Sequence, residues 1–416
     1  MSSVLTHSPA DRAARVCFGR LITHGTFYNA GMLLSNVSVV LPFICAGHGM
    51  AWIAALLYPS YCVGTAAGNV MAPYILDCTR RRHLVVAGAV LVMATLVVLT
   101  AAVSMTGGDL TVTLLVTSVA TGIASGVTNV AFTDVASSAL SDRQRGDLLL
   151  SQGATGSVLA TGIAVLVVPV LAHDSFQKGV DLLLFGAVGL AIAGVAALFI
   201  EPGRCGAASG RPSLWTTLRD GVRLARAQVW FRRYAMTQLV FVPVALGASF
   251  YSLRAAQTHD SLTVVVVVSS VALVVGSRVW RVVYRSHGVR GLLTGSSLLS
   301  TAAAAGCLAA ESLGMWSSGW VLAIVFVTAT VAGQAVYTAS ISWVGNLADP
   351  RDRPTLISVG AALTALATCI AGAVLGQIAL VYADRWPVVV MLALSAAAVA
   401  VARRSGDVSA RTSARA

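Results

Sequence analysis

Setting aside Gln152 and Gln377 near run ends, six carboxamides lie inside long apolar runs of this 416-residue chain and are the groups best placed to do chemistry there: Asn29, Asn36, Asn69, Asn129, Gln238 and Gln334. An amide in hydrocarbon is costly unless it meets a partner, so each marks either a helix–helix bond or the wall of a polar cavity. Asn29 and Asn36 are seven residues apart and share a helix face, with Tyr28 beside it. Gln334, Tyr337 and Thr338 form a second strip of the same kind. Such groups can hold a polar or amphipathic molecule by hydrogen bonds; they cannot cut it. None of the seven histidines lies near a second ligand at useful spacing, and the seven cysteines are scattered without a CxxC pair. A metal centre or disulfide framework is therefore not expected. No GxxxxGK[ST] loop is present, so ATP-driven work by this chain alone is not expected, nor is any cofactor.

Acids are missing where proton coupling would need them. Asp134, Asp181 and Glu311 stand near run ends, and His24 reads as an interfacial histidine at the entrance of the first run.

The elements that must position the amides follow from composition. Hydrophobic residues make up 57% of the chain, charged residues 11%, and the mean hydropathy is +0.81, outside the range of a soluble domain. Most apolar runs reach about 20 residues, enough for a helix to cross roughly 30 Å of hydrocarbon. The pattern predicts twelve spans, near 22–46, 50–76, 84–106, 111–135, 148–172, 181–200, 233–256, 260–280, 291–312, 317–343, 354–381 and 386–402. Of 28 basic residues, all but Lys178, Arg254 and Arg385 fall in alternate loops or at the span ends beside them, which places those loops and both termini in the cytoplasm. The net charge of +12 is spread between spans, so its expected partners are anionic headgroups of membrane lipids and not nucleic acid. The first twenty residues are polar, and no cleavable signal is expected. The expected location is the cytoplasmic membrane of a bacterium, multi-pass.

Between spans six and seven the chain turns Gly-, Pro- and Ser-rich (EPGRCGAASGRPSLW), which divides it into 1–200, a linker at 201–232, and 233–416. Ser213 is positioned to cap a linker helix with Leu218, Val222, Ala225 and Val229 on one face and Arg219, Arg223 and Arg226 on another, suited to a membrane surface. An offset of 207 residues aligns Asp142 with Asp349, Ser151 with Ser358, Gly153 with Gly360 and Ala154 with Ala361. The chain thus reads as an all-α polytopic protein of two parallel six-helix bundles, a design that puts a binding site between repeats. Five of the six amides fall on spans one, four, seven and ten, which are the expected cavity walls; Asn69 reads as helix glue.

With these features the chain resembles the major facilitator superfamily over nearly its whole length. The family's signature loop appears as LDCTRRRHL, where Asp77 matches the acidic position and Arg81 and Arg82 the basic pair. In the second half YRSHGVRGL supplies Gly288 and Arg290, with Arg285 where an acid would stand. LSDRQRGD and LADPRDRP resemble the family's charged turns and contain Arg143, Arg145, Asp349 and Arg353. The resemblance implies alternating access, with ionic latches at the cytoplasmic ends: Asp77 with Arg81, and Asp134 with Arg143 or Arg145. Drug/proton antiporters of this family carry an arginine within span four and a Gly-Pro signature in span five; both are absent here.

The functional expectation is a monomeric secondary transporter of a small organic solute, with or without a coupling ion. The expected contacts are Tyr28, Asn29, Asn36, Asn129, Gln238, Gln334 and Tyr337. Export of a metabolite or drug is the first reading, by analogy with the family. Import of a neutral nutrient is the alternative, and a polytopic membrane enzyme is the competing class; such an enzyme would need an acid, base or nucleophile cluster that the chain does not show.

Overall fold

The computed structural model describes residues 9–37, 40–47, 51–79, 81–106, 110–171, 175–200, 214–258, 262–315, 319–349, 351–381 and 385–404. Linker residues 201–213, Ser213 among them, lie outside the described residues, as does Arg80. All regular structure among the described residues is helical. In chain order the helices are α1 (Pro9–Leu34), α2 (Val40–Gly47), α3 (Ala51–Cys78), α4 (Arg82–Thr106), α5 (Leu110–Ala139), α6 (Asp142–Gly162), α7 (Val168–Leu171) and α8 (Ser175–Leu198). They continue as α9 (Leu214–Ala227), α10 (Val229–Thr258), α11 (Leu262–Ser312), α12 (Gly319–Leu347), α13 (Arg353–Val381) and α14 (Arg385–Arg404). Eight helical segments among the described residues are long and apolar enough to cross a membrane. Apolar side chains also point outward in stripes, as Leu184, Val188, Ile192 and Val195 do along α8, which suits lipid contact.

Three expected spans depart from a plain rod. The first is broken: α1 stops at Leu34 and α2 starts at Val40. Ser35 folds back so that both its N–H (3.0 Å) and its hydroxyl (2.7 Å) donate to the Gly31 carbonyl, and a run of Ser, Asn and Val with weak helix preference follows. The fifth carries a π-helical turn at Ile163–Val167 that joins α6 to α7. Pro169 has no N–H to return to the preceding turn, and the Val168 N–H reaches back five residues to Ile163. The eighth and ninth run together as α11, interrupted at Gly288, whose φ of 59° and ψ of −151° suit glycine alone.

Packing sorts the helices into two sets. Helices α1–α8 pack mainly on one another, α10–α14 do likewise, and the sets meet chiefly along α6/α11 and α3/α13. Within the first set the tightest pair is α3/α5. Gly64 and Gly68 face Gly122 and Gly126, and a Cβ at any of them would strike a carbonyl of Val119, Ile123, Tyr61 or Thr65. Small residues four apart let the two backbones touch, the membrane solution to packing without a hydrophobic drive. Helix α9 lays Gly221 on Thr355 of α13 and buries Ala225, while Arg219, Arg223 and Arg226 stay exposed. Its inner face is thus Gly221/Ala225, with Leu218 and Val222 half-buried; Val229 is exposed and belongs to α10.

Candidate functional site

The α3/α5 contact brings Tyr61 against Ser125, whose Oγ accepts the Tyr61 hydroxyl at 2.8 Å. The Tyr28 hydroxyl, from α1, lies within reach of the same serine. One turn further along α5, Asn129 meets the second set: the Tyr337 hydroxyl, from α12, points at its Oδ1 at 3.5 Å. Tyr58 stacks against Tyr61 with ring centroids 6.5 Å apart. Tyr337 is 53% exposed although it stands midway along an apolar helix, so this cluster borders open space and is not sealed core. The hydroxyls of Tyr28, Tyr61 and Tyr337, with Ser125 and Asn129, thus gather from four helices around one region, with apolar ring faces and polar tips.

The other expected contacts are elsewhere. The Asn29 amide donates to Gly25 in its own helix at 2.7 Å, and its Cβ packs where Gly156 of α6 leaves room. Asn36 lies in the break between α1 and α2, where its carbonyl accepts the Val40 N–H at 2.8 Å. Gln238 is buried within the second set. Gln334 lies in the α6/α11 seam beside Gly153 and Gly276, its amide 3.5 Å from the Leu273 carbonyl. Asn69 is buried in the α3/α13 seam, where its backbone carbonyl accepts the Ser358 hydroxyl at 2.6 Å. His24 is not interfacial. It is 1% exposed, its Nδ1 donates to the Ala193 carbonyl at 2.9 Å, and its ring stacks on Tyr28.

At the arginine-rich end the two sets are tied by charge. Asp147 of α6 accepts Arg285 of α11 at 2.7 Å and pairs with Arg281 at 3.4 Å, while Arg281 also donates to Ser151 at 2.8 Å. Arg145 is buried; it reaches the last carbonyls of the α5 segment, Ser137 and Leu140 (each 3.4 Å), and Asn346 of α12 at 3.2 Å. A cation at those carbonyls matches the negative end of the α5 dipole. Asp134 is paired with Arg82, and Arg353 of α13 acts on the same carboxylate.

No family model matches the chain. Uncharacterized proteins of Mycobacterium tuberculosis and Mycobacterium bovis are 48% identical to it over 399 residues, covering 94% of this chain and 78% of theirs. The chain belongs to their family. Among solved structures, the proton:xylose symporter XylE superposes with a TM-score of 0.66 at 11% identity, over 94% of each chain. A bacterial homologue of the iron transporter ferroportin gives 0.66 at 16% (93% of this chain, 98% of that one), and the human organic anion transporter MFSD10 gives 0.62 at 15% (95% and 100%). The fold is that of the major facilitator superfamily.

Within this major facilitator fold the signature loop behaves differently from its sequence reading. Asp77 and Arg81 are both exposed and make no ion pair with each other. Asp134 pairs with Arg82 and not with Arg145, because Arg145 turns to the end of α5 and across to α12. The Arg143 side chain lies outside the described residues. Arg290 donates to the Arg403 carbonyl at 2.9 Å inside the second set, and the Asp349 carbonyl accepts the Asp352 and Arg353 N–H groups in an exposed turn. The sequence sets Tyr58 and Tyr61 among the cavity tyrosines with Tyr28 and Tyr337, but it gives no sign of Ser125 as a site residue, nor of Asp147, Arg281 and Asn346 as partners. A signal existed for one of them: Arg278, Arg281 and Arg285 share one helix face that continues into an apolar run.

Proposed function

We propose that this major facilitator protein is a secondary transporter of a small neutral or amphipathic organic solute, working by alternating access between the units 1–200 and 233–416. The observation that carries the reading is the cluster of Tyr28, Tyr61, Ser125, Asn129 and Tyr337, which gathers polar tips from both helix sets at mid-helix while ion pairs close one end. That closed end is rich in arginine and therefore cytoplasmic. The Asp147 and Arg145 contacts, which cross between the sets, serve as the latch of a cytoplasm-closed state, and breaking them admits the opposite state. The cluster contains no charged group, and this favours a ligand recognised by phenol hydroxyls, an amide and ring faces.

The test is counterflow and efflux in proteoliposomes against a panel of neutral and amphipathic solutes, which also reads direction. Tyr61→Phe and Asn129→Ala should each lower kcat/KM for the accepted solute about tenfold. Ser395→Ala, whose hydroxyl bonds Ser300 at 2.9 Å between α14 and α11, should leave it unchanged. Equal losses in all three at matched folding would remove the cluster from the substrate path.

A further inference from the structure

The break in the first span opens on a cavity unrelated to the tyrosine cluster. It measures ≈ 20 Å³, room for one water or one dehydrated ion, and Ser35, Thr100, Thr117, Ser118 and Thr121 line it together with Leu41 and Leu183. Its walls come from the break itself, α2, α4, α5 and α8, all within the first set. All five hydroxyl-bearing residues are more than nine-tenths buried.

Hydrogen-bond direction decides what the cavity wants. Ser35 donates to Gly31 at 2.7 Å, Thr100 to Leu96 at 2.8 Å and Thr117 to Thr113 at 2.8 Å. Their hydrogens are spent on carbonyls one turn back, so toward the cavity these oxygens offer lone pairs only. The Ser118 hydroxyl, 2% exposed, has no partner among the described residues. A buried, unmatched hydroxyl beside three acceptor-only oxygens calls for a positive centre. The carbonyl end of α1 adds its negative partial charge at the break, while the Val40 N–H that would oppose it is tied to the Asn36 carbonyl at 2.8 Å. None of the lining residues is a carboxylate, so a divalent ion would keep too much charge in a low-dielectric site. A broken helix that supplies oxygens to a monovalent ion is a known physical solution in membranes.

We propose that this cavity binds one dehydrated monovalent cation, Na+ or Li+, held by the hydroxyls of Ser35, Thr100, Thr117, Ser118 and Thr121. The site lies apart from the tyrosine cluster, and its lining shares no residue with it.

The experiment uses the full chain in detergent, with radioactive Na+ binding and thermal unfolding in NaCl, LiCl or choline chloride at equal ionic strength. Binding should saturate at one ion per chain, and Tm should rise by about 3 °C in Na+ relative to choline. Ser118→Ala removes an unpartnered hydroxyl and should fold with an unchanged Tm in choline, yet lose both the binding and the Na+ shift. Thr121→Val, which keeps the side-chain volume, should do the same. Absence of saturable binding by the parent chain, or retention of the Na+ shift by both variants, would overturn the proposal and leave the cavity to a single water. Neither result touches the tyrosine cluster, whose failure is read by solute transport alone.

Discussion

The two seams that join the helix sets are related by the internal repeat but closed by different forces. In α6/α11 an acid, two arginines and a serine form a charged knot: Asp147 with Arg281 and Arg285, and Arg281 with Ser151. In α3/α13 the contacts among the described residues are neutral, with the Ser358 hydroxyl on the Asn69 carbonyl at 2.6 Å and the Cys369 thiol 3.8 Å from the Pro59 carbonyl. Ser151 and Ser358 are equivalent under the 207-residue offset, and both cross between sets, one as acceptor and the other as donor. The position that corresponds to Asp147 is Pro354, which cannot pair. The repeat thus fixes where a seam runs, while single residues decide what holds it. A charged seam can be loosened by salt or neutralisation; a neutral one keeps its alignment while the other opens.

The largest effect should come from Arg145→Ala, which strips the buried guanidinium from the end of α5 and from Asn346. We expect a loss of about 1–3 kcal/mol, read as a fall in Tm of several degrees, because buried carbonyls lose their donor. A variant as stable as the parent would show that the clamp across α5, α6 and α12 carries no weight. Next is Asp147→Asn. The ion pair is partly solvated, with side-chain exposures of 27% for Asp147 and 44% for Arg285, so it is worth roughly 1 kcal/mol at most. Crosslinking between Gly146→Cys and Tyr284→Cys, which face each other in that seam, should become several-fold slower. Ser358→Ala should cost about 0.5–1 kcal/mol in stability and leave the Gly146/Tyr284 crosslink rate unaltered, since it acts on the neutral seam. The smallest effect is that of salt on the parent chain: raising ionic strength should slow crosslinking across α6/α11 slightly and leave α3/α13 as it was. Equal slowing in both seams would erase the distinction between them.

Sequence alone determined the class of this molecule. Run length and composition dictate membrane-length helices, and the charged turns together with the Ser151/Ser358 repeat point to the major facilitator fold that the superpositions bear out. These signals are read along the chain, from run lengths, turn motifs and a fixed offset, and none of them needs to know which helices touch. Tertiary structure decided the pairings. Asp147 and Arg285 are 138 residues apart, and nothing in either run shows that the rotation of α6 and α11 brings them together. The same holds for the Tyr61–Ser125 bond, which exists only because the four glycines between α3 and α5 draw the two backbones into contact. Asn29 and Gln334 show the converse: the sequence placed amides on apolar faces, but a carbonyl four residues back and a seam beside Gly276 claimed them. An amide satisfies itself with the nearest partner at its depth and rotation, and those two coordinates exist only after the helices have packed.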